Sequence, residues 1–170
     1  RGYDSCGVAL SDFNKIYSYK ISGPVSGLNQ HSDISKAISG LGHTRWATVG
    51  TPSAENAHPF IDCNSDIAIV HNGELDNFIE LREALQHNGH KFTSETDSEV
   101  FAHLIEDTDS NLDPIRRVNS ILSMVTGSYA LGVLFRSTGV IVGARRESPL
   151  VIGISSSGGF LSSEVNAIAP

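Results

Sequence analysis

The chain has 170 residues, 39% of them apolar, and a formal net charge of −7. This is the size of one ordinary domain with enough apolar side chains for a core, which excludes a disordered chain. The acidic balance, with no basic cluster beyond Arg116-Arg117 and Arg145-Arg146, argues against a nucleic-acid partner. No apolar run approaches the ~20 residues that a membrane-spanning helix needs, so no membrane partner is expected. The two cysteines, Cys6 and Cys63, cannot build a disulfide framework and suit a reducing, cytoplasmic setting.

In chain order, residues 6–11 and 15–22 read as two strands around a polar turn, KIYSYKIS alternating apolar and polar. Residues 33–39 suit a short helix with Asp33 as candidate N-cap. LGHTRWAT (41–48) and IAIVHNGEL (67–75) are the next strands, and the Gly, Pro, Ser and Asn of GTPSAENAHPF between them are loop chemistry. Helical spacing follows over 76–88, with Phe78, Leu81 and Leu85 on one side and Asn88-Gly89 as the stop. A second helix starts near Thr96, striped by Val100, Phe101, Leu104 and Ile105. A third opens on Asp113-Pro114, a cap followed by a first-turn proline. YALGVLFR, VIVGARR and LVIGIS then read as strands. Strands, helices and strands again, grouped rather than alternating, indicate an α+β fold with mainly antiparallel pairing.

Four stretches carry candidate chemistry. In His43-Thr44-Arg45-Trp46-Ala47-Thr48, the Arg45 guanidinium suits a ligand carboxylate and Trp46 a pocket wall or gate; the alternative is an internal salt bridge with Trp46 filling the core. In His71-Asn72-Gly73, the Asn amide and Gly N–H could meet at an oxyanion, or Asn-Gly could simply close a turn. Thr96-x-x-Glu99 fits a capping box, which leaves the carboxylate of Asp97 unexplained and suited to a ligand ammonium group. In Asn56-Ala57-His58-Pro59, His58 reads as a hydrogen-bonded loop anchor more readily than as a catalytic base. No Cys/His spacing resembles a zinc site, so no metal is expected, and His87 and His90 read as solvated around the helix end. No phosphate loop or dinucleotide fingerprint occurs, and no cofactor is expected.

RGYDS, GHTRWAT, NAHP, HNG, SETDSEV and SPLVIG, taken together and in order, resemble the class II glutamine amidotransferases. The likeness is to the glutaminase domain of the glutamine–fructose-6-phosphate aminotransferases, and it runs from Arg1 to about Pro170 as a single domain. The resemblance implies the N-terminal-nucleophile hydrolase fold, a four-layer αββα sandwich of two mainly antiparallel sheets. It implies L-glutamine as substrate, whose amide is hydrolysed to supply ammonia. A separate half of the full-length enzyme, usually a homodimer, would use that ammonia to convert fructose 6-phosphate into glucosamine 6-phosphate. It assigns Arg45 to the glutamine α-carboxylate, Asp97 to the α-ammonium, Asn72 and Gly73 to the oxyanion hole, and Trp46 and Thr48 to a loop that closes over glutamine. Arg1 would support the nucleophile.

Two departures accompany the resemblance. Val49 occupies a place where the family usually has His. The family's nucleophile is a mature N-terminal Cys whose own amine is the base, and it lies a few tens of residues before RGYDS. Cys6 does not replace it: it falls where the family commonly has Ala, has no free amine, and reads as a buried packing residue. The rival readings are the glutaminase domain of an amidophosphoribosyltransferase, whose loop typically has Tyr and Ser at the places of Trp46 and Ala47, and a non-catalytic glutamine-binding module.

Overall fold

A computed structural model describes residues 4–28 and 36–168. Strands form first where the alternation is clearest. β1 (Ser5–Ser11) and β2 (Ile16–Ser22) pair antiparallel, and the turn between them is held by the Asp12 carboxylate, which accepts from the backbone N–H groups of Asn14 and Lys15. β3 (Ser39–Arg45) pairs with the other edge of β1 and sets Arg45 opposite Ser5. Of the short helix expected over 33–39, residues 33–35 lie outside the described residues, and Ser39 already opens β3. The strand expected to reach position 48 ends at Arg45. The chain leaves the sheet there because the Ala47 N–H is taken by the Asp4 carboxylate.

A second sheet has the order β4-β5-β6-β7, antiparallel throughout: β4 (Phe60–Ile61), β5 (Ile67–Leu75), β6 (Gly127–Phe135) and β7 (Ile141–Arg146). β8 (Val151–Ser155) and β9 (Gly158–Ser162) form a hairpin of their own. β4 was not anticipated because two residues show no alternation, nor was the glycine-led β9.

Three helices cover one face of the four-stranded sheet. α1 (Phe78–His87) ends as expected at Asn88, with Gly89 following at φ 98°. α3 (Pro114–Ile121) starts as expected on Asp113, whose side chain accepts from the N–H groups of Ile115 and Arg116. α2 (Glu99–Glu106) differs in two ways. It begins three residues after Thr96, and Ser98 at its N-cap makes no capping hydrogen bond. Glu99 reaches back beyond Thr96 to the N–H and hydroxyl groups of Thr93 and Ser94. The expected capping box is thus replaced by a carboxylate that organises the whole 93–98 loop.

Two cores define the layering. Phe101, Ile105, Val118 and Leu85 of the helices meet Ile69, Leu131 and Val133 of the four-stranded sheet. On that sheet's other face, Ala68 and Leu134 meet Ala9, Ile16 and Leu41 of the three-stranded sheet. β6 is therefore buried on both faces from Tyr129 to Phe135, which is why its sequence is a nearly unbroken apolar run. A 3-10 turn at Val25–Leu28 lies against β1 and β2. α2 sits at the heart of the helical layer, buried from Glu99 to Ile105, and contacts β4, β5, α1 and α3. Each fully buried Phe or Ile here contributes about 1.5–3 kcal/mol. The stripe expected on α2 understated its burial: Glu99 and His103, on its polar side, are also enclosed.

Candidate functional site

The carboxyl-terminal ends of β3 and β5 and the loop before α2 enclose one cleft of about 1000 Å³. Arg45, Trp46, Thr48, Asn72, Gly73 and Asp97 all line it, although they come from three segments spread over more than fifty residues. Arg1 lies outside the described residues.

Arg45 is buried, 4% exposed, at the end of β3. Its guanidinium donates to the carbonyls of Val49, Gly50 and Thr51 and so holds the 46–51 loop in a tight curl. The expected alternative of an internal salt bridge is not what the structure contains. No carboxylate among the described residues lies within ion-pair distance of Arg45. Burial lowers its pKa, opposed by the more distant charges of Asp4 and Asp97. Val49 contributes its backbone carbonyl, which any residue would supply, so its side chain does not alter this grip. Trp46 does not fill the core; it is 68% exposed at the rim.

Asp97 is 5% exposed. One oxygen accepts from the Leu75 N–H at 2.9 Å, which ties the loop to the end of β5. The other lies 3.2 Å from Ser98 Oγ, which is also 2.8 Å from His71 Nδ1. These contacts take at most two of the roughly four lone-pair sites of the carboxylate, so Asp97 keeps an open lone pair. Burial lowers the pKa of His71, with Asp97 acting against it.

Asn72 and Gly73 occupy β5 beyond the reach of β4, which pairs only with Ala68 and Ile69, so this edge of the strand is open to the cleft. Asn72 Oδ1 is 2.9 Å from His43 Nε2. With its oxygen engaged, the amide N–H₂ has no acceptor among the described residues. Gly73 adopts φ 133°, and a Cβ there would lie 2.2 Å from the Ser128 carbonyl. No other residue fits without moving β6. Asn72-Gly73 is therefore not a hairpin turn but lies within a strand, paired with Ala130 and Tyr129.

His58 corrects another expectation. It is fully enclosed after a cis His58-Pro59 junction, yet neither ring nitrogen has a hydrogen-bond partner among the described residues. Ring contacts hold it instead, with His43 at 4.1 Å and Phe60 at 4.6 Å between centroids. Burial drives its pKa well below the usual histidine range and lowers that of His43. Sequence reasoning passed over His43 and His71 as site residues, although both line the cleft and orient Asn72 and Asp97.

The cysteines divide. Cys6 is 1% exposed, its thiol donates to the Gly23 carbonyl, burial raises its pKa, and it does not line the cleft. This is the packing residue that was expected. Cys63 has His90 and His103 at 3.8 and 3.7 Å. His90 is not solvated: its side chain is 9% exposed and clasped by Glu106 and Asp107. The expectation of no metal-like grouping rested on linear spacing, whereas these groups come from three remote segments.

The arrangement has counterparts. The chain is 45% identical over 172 residues to glutamine–fructose-6-phosphate aminotransferase (isomerizing) of Methanothermobacter thermautotrophicus, and 44% identical to that of Thermotoga maritima. The alignments cover 99% of the chain but only 29% and 28% of these relatives, so the chain spans less than a third of their length. Among solved structures, the glutamine phosphoribosylpyrophosphate amidotransferase of B. subtilis superposes over 98% of the chain and 37% of its own, with a TM-score of 0.79 at 28% identity. An allosteric regulatory enzyme of purine biosynthesis superposes with a TM-score of 0.80 at 30% identity, again covering 98% and 37%. The fold is the α+β sandwich of antiparallel sheets found in N-terminal-nucleophile hydrolases. The glutamine amidotransferase domain profile matches residues 43–170, the part that supplies Arg45, Trp46, Thr48, Asn72, Gly73 and Asp97, and the chain belongs to that family.

Proposed function

We propose that the cleft binds L-glutamine and that the chain is the glutaminase domain of an enzyme forming glucosamine 6-phosphate. The observation that carries this reading is a buried cation and a buried anion in one cleft, Arg45 and Asp97, neither paired with an opposite charge at contact distance among the described residues. A free amino acid brings the carboxylate and ammonium they lack. Each charge-assisted contact contributes about 1.5–3 kcal/mol. Asn72 and Gly73 provide donors for the oxyanion formed when a thiolate attacks the side-chain amide carbon. The C–N bond then breaks, ammonia leaves, and water cleaves the thioester to give glutamate. Neither Cys6 nor Cys63 lines the cleft, so the nucleophile in this reading comes from sequence preceding Arg1, near which the reading puts Arg1 itself. Trp46 and Thr48 close over bound glutamine.

The ammonia aminates fructose 6-phosphate elsewhere in the full-length, homodimeric, cytoplasmic protein; no described helix is long and apolar enough to cross a membrane. Identities of 44–45% to the sugar-phosphate enzymes, against 28–30% to the superposed structures, support this reading over an amidophosphoribosyltransferase. The test is glutamate release by the full-length protein with fructose 6-phosphate or phosphoribosyl pyrophosphate as acceptor. Stimulation by fructose 6-phosphate is expected. Stimulation by the pyrophosphate alone, or labelling of Cys6 by an electrophilic glutamine analogue with loss of activity, would overturn the reading.

A further inference from the structure

Four side chains outside the cleft converge on one point. Cys63 comes from the β4–β5 turn, His90 from the α1–α2 connection, and His103 and Glu106 from one face of α2, three residues apart. Their ligand atoms all lie within 4.8 Å of one another. Cys63 Sγ is 3.8 Å from His90 Nδ1 and 3.7 Å from His103 Nδ1; Glu106 Oε2 is 3.0 Å from each of those nitrogens. Around a tetrahedral zinc ion, sulfur and nitrogen ligands sit about 3.6 Å apart and nitrogen and oxygen about 3.4 Å apart. For these four pairs the change is a few tenths of an ångström, the N–O pairs spreading and the S–N pairs closing slightly, with the remaining pairs within 4.8 Å.

Hydrogen bonding alone explains the cluster poorly. Each Nδ1 is approached by both Glu106 Oε2 and Cys63 Sγ, yet each has one site, a proton or a lone pair. If the rings donate to Glu106, the thiol must turn its proton to the same carboxylate, which then serves both rings and the thiol as well as Asn64. A cation at the centre takes all four atoms at once. One thiolate and one carboxylate also neutralise a divalent charge.

The surroundings are built as the outer contacts of a metal site are. The far nitrogen of each ring faces a carboxylate: His90 Nε2 lies 2.7 Å from Asp107 Oδ1, and His103 Nε2 lies 3.8 Å from Glu99 Oε1. Such partners select the tautomer whose Nδ1 lone pair is free for a metal. His103 Nε2 is buried and has no hydrogen bond as it stands, so a small approach to Glu99 would complete it. Asn64 donates to Glu106 Oε1 at 2.7 Å and fixes the carboxylate, and the Lys91 N–H donates to Cys63 Sγ at 3.4 Å.

We propose that Cys63, His90, His103 and Glu106 form a four-ligand site for a zinc-type divalent ion. The donor set is too poor in oxygen for magnesium or calcium. The site is structural: it joins the β4–β5 turn and the α1–α2 connection to α2, and through Glu99 it braces the loop that carries Asp97. Binding releases the Cys63 thiol proton to solvent.

The test uses the full-length protein that contains this chain, titrated with Co²⁺ and then Zn²⁺. One equivalent of cobalt should give thiolate-to-metal charge-transfer absorption that zinc abolishes. Cys63→Ser should remove that absorption, and His90→Gln should weaken zinc binding by about tenfold or more. Cys63 is exposed, so its replacement does not threaten folding. Zinc should raise the melting temperature of the wild type and not that of Cys63→Ser. Absence of charge-transfer absorption at saturating cobalt, its persistence in Cys63→Ser, or equal zinc affinity in wild type and a variant carrying both Cys63→Ser and His90→Gln would each overturn the proposal.

Discussion

The cleft and the Cys63 cluster are served by one stretch of chain, residues 93–106, but they treat polar groups in opposite ways. At the start of the stretch, Asp97 keeps an open lone pair, and across the cleft Arg45 has carbonyl partners but, among the described residues, no counter-ion at contact distance. At its end, His103 and Glu106 are drawn in among other polar side chains, with more approaches than protons to fill them. Glu99 lies between, and its two oxygens take four donors from Thr93 and Ser94. Burial opposes its charge, but the neighbouring His103 ring at 3.8 Å and the hydrogen bonds from Ser94 and Thr93 outweigh this and hold its carboxyl at about 2. The difference separates two uses of a buried polar group: one left waiting for a ligand, the other arranged to hold the fold.

If this contrast is correct, changes on the cleft side should alter glutamine handling more than stability, except where backbone is involved. Gly73→Ala should have the largest effect, because the added Cβ would lie 2.2 Å from the Ser128 carbonyl. Loss of glutaminase activity by ~10³-fold or more is expected, with a destabilisation of about 3 kcal/mol read by urea unfolding. Normal unfolding and normal turnover would show that the strand at Gly73 is more yielding than its geometry suggests.

Next come the paired charges. Asp97→Asn and Arg45→Lys should each raise KM for glutamine by roughly 10- to 100-fold, the worth of a charge-assisted contact. An unchanged KM with a lowered melting temperature would move both residues to the structural side of the comparison.

The histidines of the cleft predict a pH dependence. Burial lowers the pKa of His43, His58 and His71 in the folded chain, so the unfolded chain binds more protons below about pH 6.5. The contribution of these three rings is therefore full above pH 6.5 and falls as pH drops towards 5, while His103, whose pKa Glu99 and Glu106 raise against burial, contributes in the opposite sense. The slope is up to about 1.4 kcal/mol per pH unit for each ring. Urea midpoints measured across this range should show the fall, and His58→Gln should flatten it. A flat wild-type profile would mean that the rings are solvated.

The smallest effect is a control remote from both regions. Asp113→Ala removes the α3 cap and should cost about 1 kcal/mol, lowering the melting temperature by about 2–4 °C with KM for glutamine unchanged. A shift in KM would show that the helical layer is coupled to the cleft more tightly than the contrast allows.

Much of the fold was legible because local patterns there coincide with burial. KIYSYKIS, IAIVHNGEL and the Asp113-Pro114 start became β2, β5 and α3 with small shifts in their limits. Local reading failed where a distant group competes for a backbone or side-chain partner. Asp4 takes the Ala47 N–H and ends β3 early; Glu99 bypasses Thr96 for Thr93 and Ser94; ring contacts rather than hydrogen bonds hold His58.

By itself, the sequence determined the element types, the resemblance to a family and, through that resemblance, the cleft residues Arg45, Trp46, Thr48, Asn72, Gly73 and Asp97; the residues alone leave a salt bridge and a turn as alternatives. Only the tertiary structure decided which of those groups are left without a counter-charge and that His43 and His71 orient them. It alone brought Cys63 to His90, His103 and Glu106. The reason is physical: whether a polar atom is satisfied depends on what packing places within about 3 Å of it, and for these atoms the partners lie from three to forty residues away along the chain.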